Sequence, residues 1–319
     1  MAGERPFRFG VGSWETTRSG LLADARRAES LGYDVFLLAD HLFAWLAPIP
    51  MGVAVAEDTG LRVGTHVLSN DFRHPVVMTK EATTLDVLSD GRLELGLGAG
   101  YLPFEYQMAG IPFDSGADRF ARLAETVRIA DLAFAGDPFT FDGVHFQVRD
   151  HTPAPLPVQR PRPPLLLGGG GRAMLAFAAE HADIVSILPA SAAAGGMRAS
   201  EITLRSLQRK AAAVREKAGP RAASLEINIL IFDAVITADR HAAAVRYLDE
   251  LADKLPFLAV EDEITVDDLL DSPYLAFGTH QQIAEHLRSV REQTGASYIA
   301  VLPPLLENLA PVVAALTEP

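Results

Sequence analysis

Pro164-Leu165-Leu166-Leu167-Gly168-Gly169-Gly170-Gly171-Arg172-Ala173-Met174-Leu175-Ala176-Phe177 joins a short apolar run to an alanine-rich helical pattern through four consecutive glycines. A strand that turns through glycines into a helix start bares several backbone N–H groups, with the positive end of the helix dipole behind them. Glycine tolerates φ > 0 and lets a ligand touch the main chain. The stretch therefore reads as a phosphate-binding turn. The plainer reading is a tight strand–helix turn that holds nothing, for which fewer glycines would serve. Its place in the chain matters as much as its composition. A doubly wound sheet more often carries its glycine fingerprint after the first strand, whereas this one follows the fifth.

Upstream, Phe7 to Gly12, Tyr33 to Leu38, Leu61 to Leu68 and Arg92 to Leu97 read as strands. Between them lie an amphipathic helix after Ser19, a short helix near Ala47 to Glu57, and a helix opened by Pro75 with Val77, Thr84, Leu85 and Leu88 inward. Gly98 to Gly116 reads as a long loop, followed by a helix carrying Phe120, Leu123, Val127, Ala130 and Phe134. Phe139 to Val148 predicts a β-hairpin turning at Asp142-Gly143, and Pro153 to Pro164 is stiff and extended. Downstream, Asp183 to Leu188, Leu225 to Val235 and Ser297 to Leu302 complete a set of eight strands. Thr279 and Gln282 form a capping-box pattern ahead of Ile283. Strands alternating with helices imply a parallel sheet, and eight such units predict a closed (β/α)8 TIM barrel. We read residues 1–319 as one domain, with a hairpin and loop insertion around 138–163 and an acidic one around 256–277.

Bulk properties narrow the partners. A net charge of −13 argues against nucleic acid and anionic membrane. The absence of cysteine excludes disulfides, thiolate metal sites and thiol nucleophiles. No secretory or membrane-spanning stretch stands out, which predicts a cytoplasmic protein acting on a small molecule.

In a barrel the working residues sit at strand C-terminal ends. Asp40-His41 ends the second strand, the segment from His66 to Asn70 the third, and Gly98-Ala99-Gly100-Tyr101 the fourth. His41 is a candidate acid/base or hydrogen-bond donor, against the reading of a histidine tied to a neighbouring carboxylate. Trp45, Tyr101 and Phe104 form a candidate aromatic wall of a substrate pocket. No metal site is expected, since no His-x-His pair ends a strand and no His-Glu-x-x-His occurs.

Three blocks resemble the luciferase-like superfamily of flavin- and deazaflavin-dependent oxidoreductases. They are Gly64-Thr65-His66-Val67-Leu68-Ser69-Asn70-Asp71-Phe72-Arg73-His74-Pro75, the run from Leu85 to Gly100, and Leu167 to Gly171. The subgroup most similar is described as coenzyme F420-dependent with substrates largely unknown. The resemblance implies a hydride-transferring enzyme, often a homodimer, with the coenzyme's ring against strands two to four. It places Asp40, His66, Val67, Ser69 and Asn70 along the ring and its side chain. It gives Gly98 and Gly100 close approach, and Gly168, Gly169, Gly170 and Gly171 the phosphate, assisted by Arg172 or Arg73. F420-binding members often carry a non-prolyl cis bond that falls on His66–Val67 here. The acidic residue that the sugar-phosphate dehydrogenase branch has after the fourth-strand glycines is replaced by Tyr101-Leu102-Pro103, with Glu105 a possible substitute. Rival readings are an FMN-dependent monooxygenase served by a flavin reductase, a non-catalytic flavin- or F420-binding protein, and a cofactor-free sugar-phosphate isomerase.

Overall fold

The computed structural model describes residues 5–192, 196–260 and 264–317. Its core strands are β1 (Arg8–Gly12), β2 (Val35–Leu38), β3 (Arg62–Thr65), β4 (Leu93–Gly98), β5 (Leu165–Gly169), β6 (Ile184–Ile187), β7 (Glu226–Ile231) and β8 (Ala296–Val301). They are the strands of the (β/α)8 barrel expected from the alternation. The chain divides into two compact units: residues 1–12, 27–34 and 169–319 form the first, and residues 13–26 and 35–168 the second.

In the second unit β2, β3, β4 and β5 pair in parallel, with Leu37 opposite Gly64, Gly64 opposite Glu94, and Leu95 opposite Leu165. The strand expected over Leu61 to Leu68 is broken. Arg62–Thr65 pairs with the start of β4, the His66–Val67 peptide is cis, and Leu68–Ser69 then rejoins the end of β4. The Leu-Gly-Leu-Gly alternation of β4 makes room for this break. A Cβ on Gly96 would meet the Thr65 carbonyl oxygen at 1.9 Å, and one on Gly98 would meet Val67 Cγ2 at 2.7 Å.

Helix Pro75–Leu88 starts at the predicted proline but turns a different face inward. Val77 and Leu88 are exposed, while Met78, Ala82, Leu85 and Asp86 are buried. The polar member decides the rotation. The Asp86 carboxylate accepts the Val158 and Gln159 N–H groups at 2.7 and 3.1 Å, and so pins the proline-rich stretch. That stretch contains cis bonds at Ala154–Pro155 and Arg160–Pro161. The expected loop from Gly98 to Gly116 holds a seven-residue helix, Pro103–Ala109, opened by Pro103 and closed by Gly110 at φ 69°. The hairpin forms over Phe139–Asp142 and Gln147–His151, and the Glu125 carboxylate accepts three amides at its turn.

In the first unit β1 pairs with β8, β8 with β7, and β7 with β6, all in parallel. The strand predicted over Leu225 to Val235 is split at Phe232. Asp233–Ile236 leaves β7 and pairs with Leu275–Gly278 in a separate two-stranded ribbon. The acidic segment around 256–277 is therefore structured at both ends, with helix Val266–Leu270 capped reciprocally by Thr265 and Asp268. Glu261, Asp262 and Glu263 lie outside the described residues. Thr279 and Gln282 form the predicted capping box on helix His280–Thr294. Among the described residues no helix is long and apolar enough to cross a membrane.

Candidate active site

The second unit gathers most of the predicted site residues at the end of β2. Asp40 is buried, and both of its carboxylate oxygens are engaged. Oδ2 accepts the Ser69 N–H at 2.9 Å and Arg73 Nη1 at 2.6 Å, and Oδ1 accepts Arg73 Nη2 at 3.1 Å. A fork-to-fork guanidinium pair of this kind sets orientation as well as energy. Asp40 thus fastens the segment after the cis bond to β2. Arg73, expected as a possible phosphate contact, is committed to Asp40 and, at 3.5 Å, to Glu81. A second pair works alongside. Arg122 donates to both oxygens of Asp71 at 2.9 and 2.8 Å, and the Tyr106 hydroxyl donates to Asp71 at 3.2 Å. Burial and the Asp71 charge push the Tyr106 hydroxyl up to about 12.

His41 meets a carboxylate that lies 64 residues away in sequence. Its Nδ1 is 3.2 Å from each oxygen of Glu105, which is itself buried and accepts the Leu42 N–H at 2.7 Å. A carboxylate only accepts, so Nδ1 donates to an ionised Glu105, and Nε2 is then the nitrogen with a lone pair. Helix Pro103–Ala109 delivers Glu105, and the sequence offered for it only a bare acidic residue after Pro103. Rings surround the imidazole. Trp45, Phe43 and Tyr101 have centroids 5.1, 5.2 and 6.3 Å from it. Phe43 touches Phe104 at 5.1 Å, and Trp14 stacks on Trp45 at 6.0 Å with 12° between planes. Trp14 and Phe43 escaped the sequence reading because each stands singly in a loop with no periodic pattern. Trp45 has φ 65°, a left-handed backbone that a bulky residue adopts only when its surroundings enforce it. The Tyr101 hydroxyl titrates above the usual tyrosine value because of burial and the Glu105 charge, even though the residue is 40% exposed.

Among the polar atoms of this unit that are buried without a hydrogen-bond partner, two belong to consecutive residues at the end of the third strand: Asn70 Oδ1 and Ser69 Oγ. Native proteins rarely leave such groups unpaired, and each exception calls for a partner such as an ordered water, an ion or a ligand. Both belong to the segment that Asp40 holds, and His66 and Val67 stand half-buried just before it. A heteroaromatic ring with amide-like edges, as in a flavin or deazaflavin, fits this pair of atoms. Gly100 has another duty. Its φ is 76°, and a Cβ there would lie 2.0 Å from the Tyr106 hydroxyl. The space that Gly98 and Gly100 leave is thus taken by Val67 and Tyr106.

Gly168 ends the second unit, while Gly169, Gly170, Gly171 and Arg172 open the first. Gly169 accepts the Leu188 N–H at 3.1 Å, and a Cβ on Gly170 would strike the Leu188 and Pro189 carbonyls at 2.5 Å. Gly171 differs, because a Cβ there would meet nothing within 4 Å. It is the N-cap of helix Arg172–His181, makes no side-chain cap, and stands exposed next to exposed Arg172. Neighbouring Lys210 donates to the Leu188 carbonyl at 2.9 Å and pairs with Glu201 at 2.6 Å. Burial holds its ammonium below the usual lysine value.

Comparison with known proteins adds to this geometry. Residues 7–298 match the family model described as luciferase-like monooxygenase. The chain is 33% identical over 189 residues to F420-dependent glucose-6-phosphate dehydrogenase of Microbacterium testaceum, covering 56% of this chain and 55% of that protein. It is 31% identical over 205 residues to the dehydrogenase of the same name from Beutenbergia cavernae, covering 59% and 61%. The chain thus spans little more than half the length of these curated relatives. A solved structure described as an F420-dependent secondary alcohol dehydrogenase in complex with an F420-acetone adduct superposes with a TM-score of 0.77 at 17% identity, covering 99% of this chain and 100% of that one. At that identity the likeness bears on the fold alone, and the shared fold is the (β/α)8 barrel.

Proposed function

The chain belongs to the luciferase-like monooxygenase family, and from that premise we propose that it is an F420-dependent oxidoreductase acting on a small organic molecule. The observation that carries the reading is the His41–Glu105 pair, set one residue beyond the Asp40 carboxylate that accepts the Ser69 N–H, with the unpaired side-chain oxygen of Asn70 next along the chain. The F420-dependent dehydrogenases among the relatives support the choice of coenzyme.

Asn70 and Ser69 would hold the edge of the coenzyme ring, with His66 and Val67 against its face. In the first unit, the main-chain amides at Gly169 to Gly171 are a proposed phosphate anchor by the family resemblance, where backbone N–H groups and the helix dipole favour an anion. When bound, F420 supplies a carbon that accepts or donates a hydride. The remaining work falls to side chains. Glu105 accepts from His41 Nδ1 and so fixes the ring's tautomer, with the lone pair on Nε2. At Nε2, His41 takes the proton of a substrate hydroxyl or returns one to a carbonyl oxygen. The aromatic residues around it exclude water and orient the substrate. The proposal extends to a cytoplasmic protein, to a homodimer as the family resemblance implies, and to a separate flavin or F420 reductase as supplier of the coenzyme.

Equilibrium titration of the purified protein with F420 and, side by side, with FMN tests the reading. Preferential F420 binding, with hydride exchange lost in His41→Asn at unchanged coenzyme affinity, supports it. Preferential FMN binding with oxygen consumption would replace it with a monooxygenase. Tight F420 binding with no exchange in any variant would leave a carrier protein.

A further inference from the structure

Resting on the oxidoreductase reading for the chemistry at His41, we propose that the substrate is an uncharged, largely apolar molecule, aromatic or alicyclic, bearing a single hydroxyl or carbonyl oxygen. The array of Trp14, Phe43, Trp45, Tyr101 and Phe104 grips it.

The array is continuous: Trp14 stacks on Trp45, Trp45 is 5.9 Å from Phe43, Phe43 is 5.1 Å from Phe104, and three of the rings also touch His41. These side chains are open as well as close. Trp14, Phe43, Phe104 and Tyr101 are 45%, 47%, 44% and 40% exposed. At about 200 Å² per aromatic side chain, that bares roughly 350 Å² of mostly apolar surface. A contiguous patch of that size on a soluble protein is commonly a binding surface. Water is a poor occupant for it, and rings offering flat faces select flat or bulky carbon skeletons.

The polar groups at the patch argue for one oxygen and no charge. Glu105 is spent on His41 and the Leu42 N–H, which leaves His41 Nε2 to meet a single substrate atom. Two guanidiniums of the same unit are committed to carboxylates: Arg73 holds Asp40, and Arg122 holds Asp71 and Asp114. Arg119 lies over Phe113, outside the array, while donating to the Asp114 carbonyl. Among the described residues, no lysine or arginine stacks on the five rings of the array.

The chain has two tryptophans, and both lie in the array, so the site reports on itself. The full-length protein, without coenzyme, is titrated with benzyl alcohol, with cyclohexanol and with glucose 6-phosphate, and tryptophan emission is followed. Saturable changes with the two apolar alcohols and none with the sugar phosphate are expected. Phe43→Ala weakens benzyl alcohol binding by about tenfold, and Trp14→Phe keeps binding while removing part of the signal. Phe43 and Phe104 are too exposed for their truncation to hollow the core, which circular dichroism checks. A flat response to both alcohols overturns the proposal, as does saturation by glucose 6-phosphate at lower concentration than by either alcohol. Unchanged binding in both Phe43→Ala and Phe104→Ala overturns it too. Because no coenzyme is present, failure here is distinct from failure of the F420 reading, which the coenzyme titration reports separately.

Discussion

Replacing Asp40 probes whether this carboxylate positions the site or contacts the ligand. Its oxygens serve three donors: the Ser69 amide at 2.9 Å and two Arg73 nitrogens at 2.6 and 3.1 Å. A hydrogen bond to a buried charge contributes about 1.5–3 kcal/mol, and breaking a buried ion pair from one side costs about 3–5 kcal/mol. Two features reduce that figure here. The Arg73 side chain is 20% exposed, and it keeps Glu81 at 3.5 Å when Asp40 is gone. Asp40→Ala is therefore expected to destabilise by about 3 kcal/mol, and Asp40→Asn, which keeps one acceptor for Ser69, by about 2 kcal/mol. For a urea slope of about 3 kcal/mol per molar, Asp40→Ala lowers the midpoint by about 1 M. A double-mutant cycle with Arg73→Met isolates the pair, with a coupling of at least about 1 kcal/mol expected. Coenzyme affinity falls in the same variants because Ser69 and Asn70 lose their tether. Strictly additive destabilisation would refute the pairing argument. Lost coenzyme binding at wild-type stability in Asp40→Asn would show that the carboxylate touches the ligand itself.

Other consequences can be measured independently. Gly100→Ala places a methyl group against the Tyr106 hydroxyl at φ 76° and should destabilise by at least about 2 kcal/mol in chemical denaturation. Gly171→Ala meets only open space, so its stability should stay within about 1 kcal/mol of wild type while F420 affinity drops, which calorimetry would read. Glu105→Gln should slow turnover by about a hundredfold with little change in coenzyme affinity, since it frees the imidazole to rotate without altering Asn70; an equal loss of affinity would place Glu105 in the coenzyme site. Burial holds His286 below its ordinary value, while its Nε2 lies 2.9 Å from the Ser272 carbonyl oxygen. The unfolded chain therefore binds the extra proton first. Stability is full above about pH 6.5 and declines as pH falls through the depressed native value. The decline should flatten in His286→Gln, as unfolding free energies measured between neutral and mildly acidic pH would show.

Residues that speak through local periodicity were readable before folding. Val35 to Leu38 and Leu165 to Leu167 are continuous apolar runs, Leu93 to Gly98 alternates leucine with Glu94 and two glycines, and a short range of backbone geometry accounts for each. Thr279 and Gln282 cap a helix because the whole device spans four residues. The four glycines announced a bare strand–helix turn for the same reason, and β/α alternation made the barrel legible from the order of such pieces. The sequence was weaker wherever an apolar residue faced solvent. Val77 and Leu88 suggested the wrong helix face, and the buried carboxylate of Asp86, with ligands more than seventy residues away, set the true one. Pro103–Ala109 was missed because seven residues carry too little periodicity to separate from a loop.

The candidate site belongs largely to that second kind of information. His41, Trp45, Tyr101 and Phe104 were candidates by their place at strand ends, but nothing local joins His41 to Glu105 across 64 residues, or adds Trp14 and Phe43 to the wall. The chain alone therefore determined the alternation of strands and helices, the glycine turn and the family, since each is written in residues close together. Tertiary structure alone decided which carboxylate orients the imidazole, that Asp40 and Arg73 satisfy each other, and that Asn70 keeps an unpaired oxygen. Hydrogen bonds and charge pairing act over a few ångströms of space, and sequence separation does not measure that distance.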